Sequence, residues 1–400
     1  MKPKTLVLLM VVLVVLAGAG ALLMYSHETG STSGEMGAFL FEQLPANDIT
    51  SIVIETSTSA VTLKKGADGW IVAERYGYPA DFSRISDLVR TLKKIKIGRS
   101  FGASDEVLKR LSLKSPASAD TPESERGTSV RMSDGEGQTV LQMTLGSTRT
   151  RDRQKGPPDG QYVMLQGTPQ VYLIDTILSA YEGGPARWLE KRPVHVDGNE
   201  ISRITCLGPG GTDIRYVLER PAKGKNFELM SPSTGRKLKR SSVNRLSNAL
   251  SSLKISDVEP VSGVPKPLGP EASPRLDYAL FDGRVYHVFP GTACSATIPC
   301  RIRFEVGFEK PESEIKDVGG AGPGKDRGSA ETPSDATPTD KAAEEDKRLK
   351  SWIFTLPEWQ HQAFFIDLGE LLENEPEKKD VKRGPGKLSS VFSLTPNKTV

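Results

Sequence analysis

The chain is poor in the residues that most often carry chemistry. It has three cysteines and four histidines in 400 residues. Cysteines at 206, 294 and 300 are too few for a disulfide framework, and their spacing matches none of the paired patterns that hold structural zinc. The histidines, His27, His195, His287 and His361, share no ligand spacing. Charge of one sign is lacking too. Against 50 acidic side chains stand 53 basic ones, and a net +3 does not argue for nucleic acid. No nucleophile elbow, Walker lysine or dinucleotide fingerprint stands at a strand–helix junction. The run Gly208-Pro209-Gly210-Gly211 joins two strand-like segments and reads as a hairpin turn. The expectation is a protein that is not an enzyme and holds neither cofactor nor metal.

Long hydrophobic runs are absent after the first, TLVLLMVVLVVLAGAGALLM from Thr5 to Met24. Roughly 20 apolar residues rising 1.5 Å each match a bilayer core of about 30 Å. Lys2 and Lys4 precede the run, so the N-terminus is expected in the cytoplasm and the bulk of the chain outside it. The expected address is therefore the inner membrane, single-pass, with a periplasmic body. A cleaved signal peptide ending near Ala17-Gly18-Ala19 is the alternative, but the run continues past the usual length of a signal core. Residues 25–46 read as a polar Gly/Ser-rich stalk.

Beyond the stalk, short strands and amphipathic helices alternate. ITSIVIE, AVTLKK and GWIVA are strands separated by turn residues. Pro79-Ala80-Asp81 opens a helix whose stripe is Phe82, Ile85, Leu88, Leu92 and Ile95, continued by Ile97, with Asp81 as N-cap. Ser104 caps a second short helix, and TSVRMSD, TVLQMTLG, QYVMLQ and QVYLID supply further strands. The order then repeats. ISRITC aligns with ITSIVI, RYVLER with AVTLKK and NFELM with GWIVA, so Phe227 stands where Trp70 stood. Val243, Leu246, Leu250, Leu253 and Ile255 follow the first helix stripe at one constant offset. The expected class is α+β, with a transmembrane helix at 1–24 followed by two tandem, duplicated domains of antiparallel sheet packed with helices, at 47–192 and 199–374. The insertion at 310–350 and the tail at 375–400 are expected to be disordered, being charged and nearly free of large apolar residues.

Few side chains stand out as candidate sites. Cys294 and Cys300 form a candidate disulfide closing a strand-edge loop, with two free thiols as the alternative. Cys206 occupies the repeat position of Ile54 and reads as a small buried hydrophobe. Trp70, Trp188, Trp352 and Trp359 are read as core or sheet-face aromatics, and a glycan-binding module that uses them is an alternative function. A second alternative is a hydrolase whose cleft, between the two domains, holds His195 or His287 beside a carboxylate. The lysines and arginines outside the first helix stripe read as a solvated face, with a basic docking surface as the alternative.

Taken together, the single span, the motif V-T-L-K-K-x-x-D-G-W-I-V, the P-A-D-x-x-x-I-x-x-L-x-x-T-L-K-K-I helix, ASDEVLKRLSLKSP and the Q-Y-V…V-Y-L-I-D hairpin resemble a family. It comprises uncharacterised domain-of-unknown-function proteins, membrane-anchored and associated with ABC transport systems of the gliding-motility type. The motifs are structural, so no catalytic residue carries over. The resemblance implies an extracytoplasmic binding or scaffolding protein, an accessory component beside an ABC transporter permease, with its own anchor as the membrane contact.

Overall fold

In the computed structural model, alternation along the strands becomes two rows of buried side chains. Ile52 and Ile54 of β1 (Ser51–Glu55) point inward. They face Leu63 and Val61 of β2 (Ala60–Gly66) on one side and Met132 and Val130 of β6 (Thr128–Ser133) on the other. The rows continue to Leu141 and Met143 of β7 (Thr139–Arg149). The remaining strands are β3 (Gly69–Val72), β4 (Tyr78–Pro79), β5 (Ile97–Gly102), β8 (Gly160–Leu165) and β9 (Gln170–Ile174). They complete a nine-stranded sheet of order β4-β3-β2-β1-β6-β7-β8-β9-β5, antiparallel at every pairing.

The second half repeats that order. Its strands are β10 (Ile201–Leu207), β11 (Ile214–Glu219), β12 (Glu228–Ser231), β13 (Asp257–Pro260), β14 (Arg275–Leu280), β15 (Arg284–Phe289), β16 (Arg301–Phe308) and β17 (Trp352–Thr355). The sheet runs β12-β11-β10-β14-β15-β16-β17-β13, and among the described residues only β4 has no counterpart in it. Ile204 sits between Leu218 and Tyr278, as Ile52 sits between Leu63 and Met132. Cys206 occupies the Ile54 place, between Tyr216 and Leu276.

Among the described residues helices are few and short, so the described part is mostly β, a narrower class than the α+β expected. Helix α1 (Phe82–Leu92) starts where the Asp81 carboxylate accepts from the Arg84 amide and lays Ile85, Leu88 and Leu92 on the sheet. It stops at Leu92. Ile95 lies past the helix, and Ile97 begins β5, which pairs with β9 at the far edge of the sheet. Helix α2 (Asp105–Arg110) is capped by Ser104, and α3 (Arg240–Ser247) is the counterpart of α1.

Residues 36–150, 156–263, 274–295, 297–310 and 337–374 are described. The anchor expected at 1–24, the stalk to residue 35, the insertion over 311–336 and the tail at 375–400 lie outside them. Among the described residues no helix is long and apolar enough to cross a membrane. Two expectations need correction within the described part. The stalk is docked from Met36 onward: Leu40 and Leu44 are buried, and the Leu40 amide donates to the Ile95 carbonyl. The end of the 310–350 insertion is ordered as helix α4 (Pro338–Leu349). A reciprocal capping box between Thr337 and Asp340 starts it, and Ala342 and Leu349 suffice to bury its inner face. Near the C-terminus the chain folds as two short helices, α5 (Glu358–His361) and α6 (Leu368–Leu371), because Asp367 is extended and caps the second.

Most buried residues of both halves form one continuous cluster, with a small second one at Leu111, Leu113 and Val171. At the seam, Tyr78 of the first half meets Trp352 and Phe354 of the second edge-on, with centroids 5.2 and 6.1 Å apart. Arg75 makes a bidentate pair with Asp257 at 2.6 and 3.0 Å. Tyr78 is 4% exposed, whereas Asp257 keeps 38% of its side chain in water, so the aromatic contact dominates. Tyr78→Ala should cost about 3–5 kcal/mol in urea unfolding. Asp257→Asn should cost no more than about 1 kcal/mol, its pair being screened. Equal costs would contradict the dominance of the ring, and a larger cost for Asp257→Asn would assign the seam to the ion pair.

Candidate functional site

Two grooves occupy the same place in the two halves. Each lies where the inner helix, α1 or α3, leaves the flank of its apolar stripe uncovered beside the β2–β3 or β11–β12 hairpin. In the first, the flank is Phe82, Ser86, Val89 and Lys93, spaced three or four apart and so stacked along one side of α1. Opposite stands Trp70, on β3 just after the hairpin turn, where Gly69 takes φ +126, a conformation closed to other residues. The cavity is about 760 Å³, in the range of small-ligand and side-chain pockets. Its floor is Trp70, Ile85 and Val89, and Phe82 stands 63% exposed at its lip. Lys65, Arg90 and Lys93 form a basic rim. Arg90 is paired with Asp87 at 2.8 Å, but both are more than half exposed, so the pair holds the arginine weakly.

The second groove, about 460 Å³, is lined by the repeat positions. The offset 243 − 85 = 158 that carries Ile85 to Val243 also carries Phe82 to Arg240, Ser86 to Asn244, Val89 to Ser247 and Arg90 to Asn248. Phe227 replaces Trp70, and Arg220, 6% exposed, lies with its guanidinium 4.4 Å over the Phe227 ring. Arg220 donates to the carbonyls of Ile201 and Gly198. The same geometry therefore holds an apolar site in the first half and a polar, arginine-filled one in the second. Phe82 was expected within the buried stripe, yet it is 63% exposed and stands with Val89 on the open flank. That they border an open groove required the neighbouring hairpin.

The cysteines read from the sequence are joined: Cys294 and Cys300 form a disulfide, with Cα atoms 4.8 Å apart, in the loop between β15 and β16. Against it packs His361, 1% exposed. Its Nε2 lies 2.6 Å from the Pro290 carbonyl and 3.2 Å from that of Arg301, so Nε2 carries the proton and donates. Its Nδ1 is 3.3 Å from Cys294 Sγ. Burial pulls the imidazole pKa below its ordinary value. Cys206 is buried in the sheet.

The four indoles separate. Trp188 is fully buried under Arg84, Trp352 is held in the seam by Tyr78, Trp70 lines the first groove, and Trp359 is 66% exposed. Trp188 is thereby removed from any surface role. His287 does stand beside a carboxylate: its Nδ1 is 2.7 Å from Asp277, directly across the β14–β15 ladder, with Arg275 on the other carboxylate oxygen at 2.9 Å. The pair lines neither groove, and His195 is exposed elsewhere.

Residues 70–273 match the family described as Domain of unknown function (DUF4340). The chain belongs to this family. No curated protein and no solved structure matches it. The DUF4340 match begins at Trp70, in the first groove, and takes in both α1 and α3.

His361 makes stability depend on pH. Its folded pKa is depressed, so the unfolded chain takes up a proton first, near pH 6.5, and gains on the folded one as pH falls. The stabilisation is fully present above pH 6.5 and is lost on acidification below it. Urea midpoints measured from pH 7.5 to 5.5 should decline, and His361→Gln, which keeps an Nε2 donor but does not titrate, should flatten that decline. An unchanged slope in the variant would assign the acid sensitivity elsewhere.

Proposed function

We propose that this chain is a single-pass, membrane-anchored extracytoplasmic binding or scaffolding protein without enzymatic activity. In this reading it is an accessory component beside the permease of an ABC transport system of the gliding-motility type. The observation that carries the reading is the first groove, which retains the repeat's geometry but has an apolar floor and a basic rim. That lining suits an acidic partner segment presenting one or two large apolar side chains. Trp70, Ile85 and Val89 would take the apolar groups, while Lys65 and Lys93 would face the acidic ones. The run from Thr5 to Met24 supports the anchor, and the Cys294–Cys300 disulfide supports an oxidising compartment. A glycan-binding role is the second reading, favoured by Trp70 and the exposed Phe82 sharing one groove.

A photo-crosslinking phenylalanine analogue at position 82 of the full-length chain tests both. With the chain in its native membranes, a permease subunit should be captured from position 82 and not from position 359. Lys65→Glu with Lys93→Glu should reduce the yield several-fold. Capture confined to cell-wall glycan would favour the second reading, and a chain that carbonate washes off the membrane would remove the anchor from the account.

A further inference from the structure

The Cys294–Cys300–His361 cluster contains an atom that the disulfide leaves unexplained. His361 is held by its Nε2–H, which donates to the backbone carbonyls of Pro290 and Arg301. This fixes the tautomer and turns the Nδ1 lone pair toward Cys294 Sγ at 3.3 Å. A disulfide sulfur carries no proton, so it cannot donate to that nitrogen. The facing pair is therefore two acceptors, in a site where the imidazole is 1% exposed.

The same arrangement is well suited to a metal. Ligating histidines usually give one ring N–H to a carbonyl or carboxylate and the other nitrogen to the ion. One ligand atom from each of Cys294, Cys300 and His361 already lies within 4.8 Å of the others. Around tetrahedral zinc, with Zn–S about 2.3 Å and Zn–N about 2.0–2.1 Å, ligand atoms stand roughly 3.6–3.8 Å apart. The Cys294–His361 edge needs to open by only a few tenths of an ångström, and the two sulfurs must part as their bond breaks. Burial favours neutral imidazole, the form that ligates. Cys294 is half-buried, so water can reach a fourth position.

The geometry points to a thiol-controlled zinc site made of Cys294 Sγ, Cys300 Sγ and His361 Nδ1. A dithiol reductant supplies two electrons and two protons to the disulfide and is itself oxidised to a disulfide. One Zn²⁺ then displaces the two thiol protons and is held by two thiolates, one imidazole and water. The disulfide and the metal are alternative ways of closing the same loop. This inference stands independently of the groove and its partner.

The test uses the full-length chain carrying Cys206→Ser, so that only two thiols can form. Before reduction, cobalt(II) should give no thiolate-to-metal absorption. After treatment with a phosphine reductant and its removal, one cobalt per chain should bind with the near-ultraviolet band of thiolate ligation, and zinc should displace it. His361→Gln should weaken binding about tenfold or more, and Cys294→Ser should abolish the band, both with the circular dichroism of the parent chain. Two titratable thiols without a cobalt band in the parent would overturn the proposal. So would a folded His361→Gln chain that binds cobalt as tightly as the parent.

Discussion

Burial of one short helix against two rows of strand side chains is the constraint on which the rest depends. Ile85, Leu88 and Leu92 each remove a large apolar side chain from water by lying on the sheet near Ile52 and Ile54, contributing about 2 kcal/mol apiece. The helix is only 11 residues long, too short to hold its shape alone, so the sheet fixes it and its Asp81 cap fixes where it starts. Because the stripe is narrow, the flank carrying Phe82 and Val89 is left over. The groove is thus a by-product of how the core is covered, and a duplicated core produces it twice.

The two grooves differ although the sheets behind them share one strand order. Core positions changed conservatively: Ile52 became Ile204, Leu63 became Leu218 and Ile85 became Val243. Groove positions changed in kind, from Phe82 to Arg240 and from Val89 to Ser247. In the second half Arg220 lies over Phe227, spending its donors on the Ile201 and Gly198 carbonyls. Both grooves carry basic side chains, and the first is the more apolar of the two, with Phe82 and Val89 where the second has Arg240 and Ser247. The seam through Tyr78 and Trp352 joins the two halves in one main core cluster, beside a small separate one at Leu111, Leu113 and Val171.

Much of this was legible in the sequence, because period-two strands, the Asp81 and Ser104 caps and a constant helix offset are local signals. What escaped was non-local. Ile97 looked like the next turn of α1, and only its pairing with Ile174, 77 residues on, makes it a strand. Its counterpart β13 was hidden for the same reason. The insertion was read as disordered from its composition, yet two buried residues and a capping box hold α4 on β16, where the Asp346 carboxylate accepts from the Val306 amide. Of the site, the cysteine pair and Trp70 could be named in advance. His361 could not, since it meets Cys294 only through the return of the C-terminal segment across 67 residues.

The central claim is that the first groove, and not the exposed indole at the other end of the chain, is the contact surface. Fluorine NMR of the full chain labelled with fluorotryptophan tests it most directly, the Trp70 resonance being assigned from Trp70→Phe. Titration with an acidic peptide bearing a large apolar side chain should move the Trp70 signal saturably and leave those of Trp188, Trp352 and Trp359 in place. Movement of Trp359 with Trp70 unmoved, or no movement at any indole, would contradict the account.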